Sequence, residues 1–129
     1  VAPLTDSAVD HVELGVSDLD AAAEALGAIF GSEFEPARDD TMRGVRSRRH
    51  ARLGLLLTAT RPENQPSGST SWQPGLTTIG FHCSDLEEAT EDAREAGLVV
   101  DREVEGEDGP EVDFEAWASV RLRLVERSA

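Results

Sequence analysis

Between residues 10 and 16 the side chains alternate: Val12, Leu14 and Val16 are apolar, whereas His11, Glu13 and Gly15 are not. A two-residue period is that of a strand with one buried face. Immediately afterwards the period changes. Leu19, Ala22, Ala23, Leu26 and Phe30 recur at helical spacing, which predicts a helix that buries this stripe. Asp18 stands where a carboxylate accepts from first-turn amides, and Gly31 where a helix stops. Three strand-like segments follow, at about 33–38, 43–50 and 53–60.

The same order then returns. Residues 10–22, DHVELGVSDLDAA, align with residues 77–89, TTIGFHCSDLEEA, so that Val16-Ser17-Asp18-Leu19 matches Cys83-Ser84-Asp85-Leu86. Ile79, Phe81 and Cys83 alternate with Thr78, Gly80 and His82. Asp85 and Glu88 have capping-box spacing, Leu86, Ala89, Ala93 and Ala96 form the apolar stripe, and Gly97 ends the helix. Strands are predicted at about 98–105, 111–117 and 120–126. The chain therefore reads as two βαβββ modules, 1–60 and 77–129, within one structural domain. The Pro-, Gly- and Ser-rich stretch between them, 61–76, is a linker. It carries Trp72, whose large apolar surface is expected to pack on a module, a ligand or a partner.

A duplicated βαβββ unit of this length resembles the vicinal oxygen chelate superfamily, which includes glyoxalases, bleomycin-resistance proteins and extradiol dioxygenases. The resemblance rests on DHVELGVSDLDAA, IGFHCSDLEEA and the terminal VRLRLVE, and it covers nearly the whole chain. It implies an α+β fold whose two modules form an eight-stranded mixed-sheet cleft with helices on the outside, and a homodimer. It also implies four metal-ligand positions, on the first and last strand of each module. Here these positions read His11, Leu56, Thr78 and Arg123. One imidazole survives, and a guanidinium replaces a carboxylate, so neither a family-type divalent metal nor any other cofactor is expected. A relocated site drawing on His11, Glu13 and His82 is the alternative; His82 lies four residues from Thr78, ~13 Å along the strand.

Alternation places His11, Glu13, Gly15, Thr78, Gly80, His82, Arg121, Arg123 and Val125 toward the cleft, with Arg46 and Arg48 as candidates for its rim. The ligand-binding candidates are His11, Glu13, Thr78, His82, Arg121, Arg123 and Trp72. The catalytic candidates are His11 as acid or base, Glu13, and Arg123 as a fixed cation for a carboxylate or enolate-like oxygen. The plainer reading of Glu13 is an internal ion pair with Arg123 or Arg121, because a buried charge needs a partner in any case. His50, within RSRRHAR, reads as a solvated residue, and Cys83 as an apolar residue facing the helix.

Charge narrows the partners. The 26 acidic residues outnumber 12 basic ones, for a net charge of −14, and every basic residue is Arg. Such a surface repels nucleic acid and anionic membranes. It suits a cationic ligand, or reflects a high-salt habitat or a GC-rich genome. No apolar run approaches a membrane span, and VAPLTDSAVDH has no signal-peptide pattern, which predicts a cytoplasmic protein. Two function classes remain: a metal-free protein that binds a small organic molecule in the cleft, or a lyase, isomerase, epimerase or dioxygenase using a relocated metal or Arg123 and His11.

Overall fold

The computed structural model describes residues 8–60, 75–106, 109–115 and 120–126. In chain order the elements are β1 (Ala8–Gly15), α1 (Leu19–Phe30), β2 (Arg38–Asp40), β3 (Val45–His50), β4 (Leu55–Thr60), β5 (Gly75–Cys83), α2 (Leu86–Glu95), β6 (Val100–Gly106), β7 (Gly109–Phe114) and β8 (Arg121–Glu126). The strands form one eight-stranded mixed sheet in the order β2-β3-β4-β1-β5-β8-β7-β6. By compactness the chain divides into His11–Thr77 and into Thr78–Ala129 with Val1–Asp10. That division cuts β1 after Asp10. β5 itself starts at Gly75, inside the predicted linker.

Each unit is built the same way. In His11–Thr77, β1 pairs in parallel with β4, and β4, β3 and β2 pair antiparallel. In Thr78–Ala129, β5 pairs in parallel with β8, and β8, β7 and β6 pair antiparallel. The repeat is kept to the residue: Glu13 stands opposite Leu56 and Gly80 opposite Arg123, each pair displaced by the same interval.

The helices start and stop where local chemistry requires. Asp18 accepts from the Ala21 amide at 3.0 Å and Asp85 from the Glu88 amide at 3.1 Å, satisfying first-turn donors that have no intrahelical partner. Gly31 ends α1 at φ 70°, and Gly97 follows α2 at φ 101°, conformations that cost a side-chain-bearing residue more. Leu19 and Ala23 of α1 pack on Phe34, Leu57 and Ala59. Leu86, Ala89 and Ala93 of α2 pack on Cys83, Val112, Phe114 and Leu124. Phe30 and Ala96, expected at the ends of the buried stripes, are exposed, since each sits at the terminus of its helix.

Three expectations change. The strand expected at 33–38 is displaced to Arg38–Asp40, because Pro36 has no amide to donate and disrupts a ladder; one bond from Glu35 N–H to the Arg49 carbonyl, 2.8 Å, ties the segment down. The strand at 111–117 ends at Phe114. Arg46 and Arg48 lie on the helix-bearing face, because β3 pairs Ser47 with Thr58 and Arg49 with Leu56.

Arg48 has a structural task on that face. Its Nε donates to the Glu35 carbonyl at 2.9 Å, one Nη to the Phe34 carbonyl at 3.2 Å and the other to Asp20 at 3.2 Å. A guanidinium spans three acceptors in fixed directions, which an ammonium does not. Arg48→Lys is expected to keep the charge yet lower unfolding free energy by about 1–2 kcal/mol, read from urea unfolding of the two proteins.

Candidate functional site

On the face of His11–Thr77 away from α1, β1 presents His11 and Glu13. His11 is buried and Glu13 half-buried. The Thr77 hydroxyl donates to a Glu13 carboxylate oxygen at 3.2 Å and lies 3.4 Å from its carbonyl. The register puts Leu56 and Arg49 beside Glu13 on the same face, so Arg49 is the arginine that alternation should have placed there.

On the face of Thr78–Ala129 away from α2, the ladder aligns Thr78 with Arg121, Gly80 with Arg123 and His82 with Val125. Thr78 and Arg123 are buried, while His82 and Arg121 are half-buried. Gly80 brings no side chain beside the Arg123 guanidinium. Arg123 Nε donates to Asp113 Oδ1 at 2.7 Å, and both side chains are only 4% exposed. Asp113 stands directly opposite Arg123 in the antiparallel pair, and Arg102 stands opposite Asp113 from the other side. Arg121 donates to Asp101 at 3.1 Å, with 25% and 30% of the two side chains exposed.

The carboxylates on Arg123 Nε and on Arg121 are those of Asp113 and Asp101. The signal for Asp113 was present as the register of β7 against β8, which requires knowing where the connection ends. Trp72 lies outside the described residues.

His50 is not solvated. It is 6% exposed, packs edge-on against Phe34 at 5.1 Å, and accepts from the Leu53 amide at Nδ1, 3.3 Å. Its Nε2 lies 2.6 Å from the Ser32 hydroxyl. With Nδ1 accepting, the neutral ring carries its proton on Nε2 and donates to Ser32, the reverse of what a base activating a serine requires. Cys83 is buried, and its thiol is pushed up by burial and by the carboxylates of Glu126 and Asp85, so it is not an activated nucleophile. Two grooves of ≈ 590 Å³ each flank α2: one is lined by Ile79, Phe81, Leu98 and Leu122 together with Arg121 and Glu115, the other by Glu87, Glu91, Glu103 and Glu126 among others.

The donor set does not fit a divalent ion of the kind the resemblance implies. Leu56 offers no donor, Thr78 only a hydroxyl, and Arg123 is a cation already bonded to a carboxylate.

A paired α+β module of this topology defines a known class. The family model for the Glyoxalase/Bleomycin resistance protein/Dioxygenase superfamily matches residues 8–112, and the chain belongs to that superfamily. Among solved structures, methylmalonyl-CoA epimerase from Mycobacterium tuberculosis superimposes with a TM-score of 0.75 at 22% identity, covering 94% of this chain and 88% of that one. A hypothetical protein from Bacillus halodurans C-125 gives 0.72 at 14%, covering 96% of both chains. A variant methylmalonyl-CoA epimerase from Streptomyces coelicolor, in complex with 2-nitronate-propionyl-CoA, gives 0.70 at 22%, covering 94% and 97%. These likenesses are of fold. No curated protein matches the chain.

Two outcomes test the site as described. Arg123→Met alone should destabilise by about 3–5 kcal/mol because the buried Asp113 carboxylate loses its guanidinium donor, whereas Arg123→Met with Asp113→Leu should recover most of that loss; chemical unfolding of both variants decides. Below the ordinary thiol range, burial of neutral Cys83 contributes its full stability, which is lost as pH rises toward the raised folded value. In the native protein Cys83 should therefore resist thiol reagents at pH 8 and react at once in denaturant, as a colorimetric thiol assay would show.

Proposed function

We propose that the protein binds a small organic carboxylate without a divalent metal, on the arginine-bearing face of Thr78–Ala129. The observation that carries this reading is Arg121: it shares the face of buried Arg123, lies in register with Thr78, and remains one-quarter exposed. A partly exposed guanidinium offers a carboxylate a planar, forked set of donors. Thr78 adds a hydroxyl, His82 a ring nitrogen at the far end of β5, and Arg123 a fixed charge in a region of little water. This reading also includes a cytoplasmic homodimer; no helix among the described residues is long and apolar enough to cross a membrane, and Ile29 and Phe30, 72% and 47% exposed at the end of α1, favour a covered surface.

A second reading is an isomerase or epimerase, in which Glu13 or His11 moves a proton and Arg49, beside Glu13 on the same face, holds the resulting enolate-like oxygen. Its support is the Glu13 carboxylate, held by the Thr77 hydroxyl, together with a fold shared with methylmalonyl-CoA epimerases.

Isothermal titration decides between the readings. Malonate should bind wild-type protein, and Arg121→Ala should weaken it by about tenfold or more, while Ni²⁺, Zn²⁺ and Mn²⁺ show no stoichiometric binding. Tight binding of one metal equivalent, or solvent deuterium entering methylmalonyl-CoA in the protein's presence, would favour the enzyme instead.

A further inference from the structure

β6 contains one residue more than its partner can match. Val100 stands opposite Phe114, and the next pair is Arg102 opposite Asp113. Phe114 and Asp113 are consecutive and face opposite sides, so Val100 joins the helix-bearing face, Arg102 joins the polar face, and Asp101 is the extra residue between them. Its carboxylate accepts from Arg121, two strands away on β8. The neighbouring pair, Arg123 with Asp113, is sealed from water, but Arg121 and Asp101 are not.

We propose that Asp101 is an internal stand-in for the ligand's carboxylate. It occupies Arg121 in the empty protein, and a small organic carboxylate displaces it on binding. The proposal rests on the reading of Arg121 given above and extends it, since Asp101 then sets both affinity and selectivity. A pair open to water over a quarter to a third of its surface is held less firmly than a sealed one and can exchange. Release requires only rotation of the Asp101 side chain, and β6 is the outermost strand, so no ladder on its far side is disturbed. A neutral or amide ligand cannot take over the charge that Asp101 supplies, and Asp101 would exclude it. A carboxylate can, and the freed Asp101 becomes hydrated.

The test uses the full chain and malonate as probe, followed by isothermal titration. Asp101→Asn should bind malonate about two- to fivefold more tightly than wild type, the change to which the strength of an exposed ion pair converts. A merely structural residue would leave affinity unchanged or reduce it. Because removing any negative charge from an acidic protein favours an anion, Glu103→Gln is the control: Glu103 is exposed on the same strand, in register with Val112 on the helix-bearing side. Unchanged or weaker binding in Asp101→Asn overturns the proposal, as does equal tightening in Glu103→Gln. If malonate binds wild type and is lost in Arg121→Ala while Asp101→Asn matches wild type, only the role of Asp101 fails. If neither wild type nor Asp101→Asn binds malonate, the reading of Arg121 fails and takes this proposal with it.

Discussion

Arg123 and Asp113 meet at 2.7 Å with almost no access to water, and much of the Thr78–Ala129 unit follows from that contact. Two charges removed from water cost several kcal/mol each unless they face one another with good geometry. A slip of one residue between β7 and β8 would turn Arg123 into the side occupied by Phe114 and Leu124, and bring those apolar groups to the polar face. The ion pair and the apolar cluster therefore enforce the same register from opposite sides of one sheet. The pair also determines what the position can bind. A guanidinium held by a carboxylate is a poor neighbour for a divalent cation.

Much of this was legible in the sequence where a signal is local. Asp18 and Asp85 announce helix starts through their own side chains, and the alternation of Ile79, Phe81 and Cys83 with Thr78, Gly80 and His82 separates the two faces of β5 without knowledge of any neighbour. The repeat supplied topology, because two copies of one pattern share one set of pairings. What sequence reading missed depends on register between strands. The partner of Arg123 is set by how β7 pairs with β8, and the placement of Arg46 and Arg48 by how β3 pairs with β4. His50 was misjudged because its arginine-rich surroundings suggested solvent, whereas Phe34 and Ser32 enclose it from segments 16 and 18 residues away in sequence.

The arginines show why composition alone says little about role. Arg46 and Asp39 form a pair that is about half exposed, 55% and 42% by side chain, and contribute little. Arg48, two residues on, ties the segment after α1 to the start of that helix. Arg121 and Arg123 differ again, one open to water and the other closed. All four carry the same charge. Their differences come from what each strand position lets the guanidinium reach.

The extra residue in β6 has an evolutionary corollary. An outermost strand has neighbours on one side only, so gaining or losing a single residue there perturbs one ladder and leaves the interior packing of Val112, Phe114 and Leu124 in place. Small indels near residue 101 are thus a low-risk route by which descendants of this chain could acquire, retune or discard polar groups over the sheet, diversifying recognition while the scaffold stays unchanged.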